Sequence, residues 1–297
     1  MPHIQISKQH SFKGHNGGIF ELQPVNDREF ISGGGDGQVV KWNLESLEDG
    51  QVIAKVTSTI YGLLVDGSKL LIGENSRGLH LIDITTKAVL RSVEIKAPIF
   101  SMLKVKDQYL IGTGAGELFV FDLQLNFTAK IKLSNKSLRS MDANETDISL
   151  GYSDHVIRIL DKTTLELKYE IKGHKLSVFS TRYHPKTKHL VSTGRDAHIR
   201  AWDTFNHYEP IHTIPAHMYA CNHLSFAPTG EYFASASMDK TIKIWDGAKF
   251  ALVKVIDKAR HDGHTNSVNK LLWMKFNNLL VSCSDDRTVA VWDIKFD

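Results

Sequence analysis

The chain has 297 residues, 42% of them hydrophobic, with 36 basic and 33 acidic side chains and a formal net charge of +3. That apolar share is ample for a core and excludes a disordered composition. The near-balance of charge argues against a nucleic-acid or anionic-membrane surface as the main function.

The two cysteines, Cys221 and Cys283, fall in apolar strand patterns, so buried free thiols are expected and a disulfide framework is not. The opening stretch MPHIQISKQHSFKGHN lacks the basic segment and apolar run of a secretory signal. No apolar run approaches the roughly 20 residues that a membrane helix needs. The expectation is a soluble, cytoplasmic protein in a reducing compartment.

Taken in order, the chain starts with an orphan strand pattern, Ile4 to Gln9, and continues as seven units. Each unit closes on an aromatic or aliphatic residue followed by Asp or Asn: Trp42-Asn43, Ile82-Asp83, Phe121-Asp122, Leu160-Asp161, Trp202-Asp203, Trp245-Asp246 and Trp292-Asp293. The spacings are 40, 39, 39, 42, 43 and 47 residues, and self-similarity at such a period marks a repeat architecture. In the first unit four short strands are predicted, Ile19–Gln23, Glu29–Gly33, Val39–Trp42 and Val52–Thr57. Turn residues separate them: Asn26-Asp27, Gly34-Gly35-Asp36-Gly37 and Glu48-Asp49-Gly50. Lys41 breaks the apolar pattern of its strand and is expected to snorkel. No stretch sustains a 3.6-residue period, so helix should be nearly absent. After Trp292-Asp293 only four residues remain, too few for a fourth strand in the last unit. The N-terminal strand is therefore expected to complete that unit and leave no open edge.

Four units share a further set of residues. His217, Ser235, Asp239 and Trp245 recur as His174, Ser192, Asp196 and Trp202, as His264, Ser282, Asp286 and Trp292, and one residue shorter as His15, Ser32, Asp36 and Trp42. Units two to four depart from it. Ile72 and Ser76, then Ile111 and Ala115, stand where Ser and Asp should be; unit four keeps Asp154 but has Leu150. None of these units has the His, and Ile82, Phe121 and Leu160 replace the Trp. They are expected to rely on apolar packing alone and to be the less rigid side.

The Gly-His openings (Gly14-His15, Gly173-His174, Gly263-His264) and the Trp-Asp closings at this period resemble WD40 repeats over essentially the whole chain. The resemblance implies an all-β, seven-bladed β-propeller forming one domain over residues 1–297, its ring closed by the N-terminal strand in the last blade. It also implies that the tetrads are structural. The Asp would accept from the imidazole, the His would reach the Ser hydroxyl, and the Ser would reach the Trp N–H. Those groups would otherwise be buried unpaired, at about 1–3 kcal/mol each. A Ser-His-Asp hydrolase is the competing reading. It would need the triad four times in one chain, no Gly-x-Ser-x-Gly surrounds any of the serines, and the Trp has no role in it.

In WD40 propellers the start of each blade's first strand lies at the rim of the top face. The resemblance places Phe20, Tyr61, Phe100, Arg139, Phe179, Asn222 and Asn269 there. The residue before the second turn's Asp is another rim position: Gly35, Asn75, Gly114, Ser153, Arg195, Met238 and Asp285. Aromatics with arginines are the usual anchors of a binding surface. The candidate partner-binding residues are therefore Phe20, Tyr61, Phe100, Arg139, Phe179, Arg195, Asn222, Met238 and Asn269. The alternative is that the rings only plug the channel mouth.

The expected role is a non-catalytic platform for a protein or peptide partner, without cofactor or metal. An enzyme would need acids or histidines converging at the mouth, where the rim offers only Asp285. A nucleic-acid or phosphoinositide binder would need a basic cluster, of which Arg139 and Arg195 are only a beginning. The run His261-Asp262-Gly263-His264 looks metal-like, but His264 is needed for its tetrad. Gly33-Gly34-Gly35 precedes no helix or Lys-Ser/Thr pair and is expected to be a strand-end turn.

Overall fold

Apolar residues on both faces of short strands, separated by turn residues, build seven four-stranded antiparallel sheets. The computed structural model describes residues 4–48, 50–76 and 78–296; Asp49, in the predicted turn at 48–50, lies outside the described residues. The first strands of the sheets are Ile19–Pro24, Ile60–Asp66, Ile99–Val105, Leu138–Ala143, Val178–Tyr183, Cys221–Phe226 and Val268–Trp273. Each touches the next, and the last touches the first. The strands therefore form the inner wall of a closed ring, and the molecule is a seven-bladed β-propeller.

Blade one consists of Ile19–Pro24, Glu29–Gly34, Gln38–Asn43 and Gln51–Lys55. Blade seven is composed differently. Its third strand runs on through the last described residues as Thr288–Phe296, and its outermost strand is N-terminal, Ile4–Lys13, in antiparallel register from Ile4 opposite Phe296 to Lys13 opposite Thr288. This strand is longer than the pattern suggested, because Phe12 continues inward. The Phe12 ring lies 4.9 Å from that of Trp42 in blade one. Among the described residues helix is confined to one turn, Lys258–His261, and a 3-10 turn, Phe276–Asn278.

The cores lie in the seams between blades. One cluster joins Phe12, Val281, Val289 and Val291 of blade seven to Ile19, Phe30, Val40 and Trp42 of blade one. Second strands such as Leu190–Gly194 are buried along their whole length, as strands covered on both faces must be. Lys41 does more than snorkel: its Nζ lies 2.9 Å from Glu29 across the strand pair.

Blades two and four also depart from the expectation of apolar packing alone. In blade two, Glu74 accepts from His80 Nε2 at 3.0 Å and from the Ser58 hydroxyl at 2.9 Å. In blade four, Asp154 accepts from Ser134 at 2.6 Å and from Arg158 at 2.9 Å. Both networks tie a loop to a strand end with different residue types, because the aliphatic Ile72 and Leu150 cannot serve as the hydroxyl hub.

Candidate functional site

In each complete blade the four tetrad residues meet. His217 Nδ1 lies 2.9 Å from Asp239 and its Nε2 2.7 Å from Ser235 Oγ, which accepts from Trp245 Nε1 at 2.8 Å. In blade one the matching distances through His15 to Asp36 and Ser32, and from Trp42 to Ser32, are 3.0, 2.7 and 2.8 Å. In blade five, through His174, Asp196, Ser192 and Trp202, they are 3.0, 2.8 and 2.8 Å. In blade seven, through His264, Asp286, Ser282 and Trp292, all three are 2.8 Å.

Trp N–H fills one lone pair of the Ser. In blade six, with Nδ1–H of His217 donating to Asp239, Nε2 is left to accept the Ser235 hydroxyl proton, the bonding of a neutral imidazole. Burial lowers the pKa of His217, partly opposed by Asp239. For Asp239 burial pushes upward, but His217 and Thr241 as donors outweigh it and hold the carboxyl well below its usual range. This is a chain of satisfied groups, with no hydroxyl aimed at an open cavity.

The candidate binding residues occupy a common backbone feature. In every blade the register of the first strand slips between its first and third residues: Ile19/Glu21, Ile60/Gly62, Ile99/Ser101, Leu138/Ser140, Val178/Ser180, Cys221/His223 and Val268/Lys270. The skipped residue is Phe20, Tyr61, Phe100, Arg139, Phe179, Asn222 or Asn269. A β-bulge leaves its extra residue unpaired and re-aims the side chain. Here seven bulges aim seven side chains at one channel mouth, where they line a cavity of about 210 Å³ together with Glu21, His223 and Lys270.

Five of them form an arc. The Phe20 and Tyr61 ring centroids are 5.1 Å apart, and those of Tyr61 and Phe100 5.4 Å. The Arg139 guanidinium sits 4.1 Å from the Phe100 centroid and 5.8 Å from that of Phe179. Its Nε donates to Ser153 Oγ at 3.1 Å. Among the described residues it forms no ion pair with a carboxylate. Asn222 and Asn269 also bond across the seams. Asn222 donates to Val268 O at 2.9 Å, and Asn269 donates to Ile19 O at 2.9 Å and to Asp285 at 2.8 Å. They stitch neighbouring blades at the rim.

Arg195 and Met238 stand apart from the arc, exposed at the tips of their turns; 58% of Met238 is accessible. The loops before blades five and six add Leu176, Met218 and Tyr219, all exposed, which the sequence reading missed. The available signal was apolar residues within two positions after a tetrad His, where blades one and seven have Asn16-Gly17 and Thr265-Asn266. Charged residues inside the channel were also missed. Lys270 Nζ contacts Glu21 at 2.6 Å, and Arg182 donates to His223 Nε2 at 2.9 Å. Burial, then Lys270 and Arg182, hold the His223 pKa well below 6.5.

In the His261-Asp262-Gly263-His264 run, His264 is bonded in its tetrad and His261 turns toward Asp257. Among the described residues no group of three or more His, Cys, Asp or Glu side chains is placed to hold a metal ion. No helix there is long and apolar enough to cross a membrane.

The family described as "WD domain, G-beta repeat" matches residues 6–43, 165–203, 208–246 and 257–293, the four units with complete tetrads. The nuclear distribution protein PAC1 of Arthroderma otae is 31% identical over 159 residues, covering 50% of this chain and 33% of that protein. Actin-interacting protein 1 of Drosophila melanogaster is 27% identical over 308 residues, covering 95% of this chain and 47% of that protein. The 66 kDa stress protein of Physarum polycephalum is 22% identical over 96% of this chain and 48% of its own length. The chain thus spans about half the length of these relatives, or less.

Proposed function

The chain belongs to the WD40-repeat family, and from that premise we propose that it is a non-catalytic interaction scaffold that binds a partner protein or peptide on its top face, around the channel mouth, in the cytoplasm. Residues 1–297 act as one domain in this reading. The observation that carries it is the arc of Phe20, Tyr61, Phe100, Arg139 and Phe179, delivered to one mouth by the bulges of five successive blades. Half-buried rings beside a guanidinium without a carboxylate partner suit an anionic group flanked by an apolar side chain. Because Arg139 already covers the Phe100 face, a cationic ligand such as a methylated lysine would meet repulsion there. Arg195 and Met238 extend the surface outward, and Asn222 and Asn269 hold the rim in shape. Similarity to a protein named for interacting with actin, over 95% of this chain, supports a protein partner without identifying it.

The test is affinity capture from the native host with the parent chain and with Arg139→Glu, compared by quantitative mass spectrometry. Proteins captured by the parent and lost with Arg139→Glu are the expected result. An unchanged capture profile with a folded Arg139→Glu variant would overturn the top-face reading.

A further inference from the structure

The seam between blades one and two has the same plan as the others but lacks their filling. At the seam of blades seven and one, the rings of Phe12, His15 and Trp42 pack together. Counting back from the first residue of each blade's first strand, the equivalents of Phe12 and His15 at the next seam are Ile53 and Val56, and the closing pair Ile82-Asp83 puts Ile82 in place of Trp42. Three aromatic rings are replaced by three aliphatic side chains. In the following blades the Trp position holds Phe121, or Leu160 beside an Arg158 that stacks over Tyr152. Blade two has aliphatic residues at the positions of both the His and the Trp, and the His80 imidazole that lines its seam is held aside by Glu74 and Ser92.

A hollow of about 530 Å³ results, floored by Ile53, Val56, Ile72 and Ile82. It lies between the outermost strands of the two blades, Gln51–Lys55 and Val89–Val93, both unpaired sheet edges. Exposed apolar residues stand beside it, Val52 at 45% and Val89 at 67%. Its inner polar wall is self-contained, because Glu74 is occupied by His80 and Ser58. The charges left at its rim are Lys55 and Lys87. Lys87 Nζ donates to Val52 O, and among the described residues neither lysine has a carboxylate partner.

We propose that this seam is a second docking site, separate from the channel mouth, which takes a bulky aromatic side chain of an extended, acidic partner segment. The aromatic side chain fills the volume that Trp and His fill in the four tetrad blades. The segment's backbone can pair with a free strand edge, and its carboxylates meet Lys55 and Lys87.

The probe is the capped pentapeptide Glu-Glu-Trp-Glu-Glu, titrated into the full chain while the Ile53, Ile72 and Ile82 methyl resonances are followed. Saturable shifts of these methyls are expected. The Lys-Lys-Trp-Lys-Lys peptide should bind at least tenfold more weakly, as should Glu-Glu-Trp-Glu-Glu to the Lys55→Glu/Lys87→Glu variant, whose changes are on the surface. Ile82→Trp, which restores the missing ring, should abolish binding; if it does not fold, the charge-reversed variant decides the test. Absence of methyl shifts, equal affinity for the two peptides, or parent-like binding by a folded Ile82→Trp chain would each overturn the proposal. Free indole-3-acetate binding as tightly as the acidic peptide would overturn the assignment to a chain segment.

Discussion

Truncating one tetrad histidine tests the physical role of the network. His217 has a fully buried side chain and bridges Asp239 to Ser235. In His217→Ala, Asp239 keeps donors from Met218 N, Thr241 N and the Thr241 hydroxyl, so the carboxylate remains served. Ser235 is affected more: its oxygen still accepts from Trp245, but its hydroxyl proton has no acceptor. One buried unsatisfied group costs about 1–3 kcal/mol, and the cavity left by the imidazole adds to this. A loss of about 2–4 kcal/mol is expected. His207, exposed, with its ring against Tyr169 and a 3.3 Å bond to the Tyr169 hydroxyl, is the control, and His207→Ala should stay within about 0.5 kcal/mol. Urea unfolding followed by tryptophan fluorescence reads both. Equal midpoint shifts would refute the reasoning.

Deleting residues 1–12 removes most of the outer strand of blade seven and uncovers the edge of Thr288–Phe296; the truncated chain should aggregate or melt far below the parent. A monomer melting at the parent temperature would contradict closure by this strand. Stability should also fall with acid. His174, His217 and His223 have folded pKa values held below 6.5, chiefly by burial. The unfolded chain therefore binds protons first, and stability declines as pH drops below about 6.5. Asp196, Asp239 and Asp286 are depressed below 3.8; their contribution is present above 3.8 and is lost as pH falls through their folded values. Equal melting temperatures at pH 7.5 and pH 5 would contradict the neutral, buried assignment of these histidines.

The ring and its closure were legible because they rest on spacing. A Trp ten residues after a Ser lies across the hairpin two residues from the Ser's register partner, so that its indole reaches the hydroxyl, as Trp245 Nε1 reaches Ser235, and the orphan strand pattern before Gly14-His15 pairs with the last blade's third strand. The substitutes in blades two and four were not legible. Glu74 lies two positions past the expected hydroxyl and meets His80 on the next strand. Arg158 reaches Asp154 only because of its length. Pattern matching by residue type passes over both. The channel-mouth residues could be named from their place in the repeat, but their division of labour depends on tertiary neighbours. Asn222 and Asn269 spend their amides on the next blade, whereas Arg139 lies against two rings. The hollow at the second seam could not be inferred from Ile82 alone, because Phe121 and Leu160 are also departures from Trp and their seams are filled by other side chains.

The measurement that bears most directly on the proposed top-face site is the affinity of the captured partner for Phe100→Ser and Phe179→Ser, with the thermal melt of each variant recorded beside it. Lys188→Ser, on the opposite face in a surface pair with Glu145, is the control. Both rings are half-buried, and a ring that buries a further 50 Å² or so on binding contributes about 1.3 kcal/mol, close to tenfold in affinity. The account predicts a loss of about tenfold for each Phe variant, modest melting shifts, and parent-like binding by Lys188→Ser. Phe variants that bind like the parent while folded would show that the rings only plug the channel and that the partner docks elsewhere.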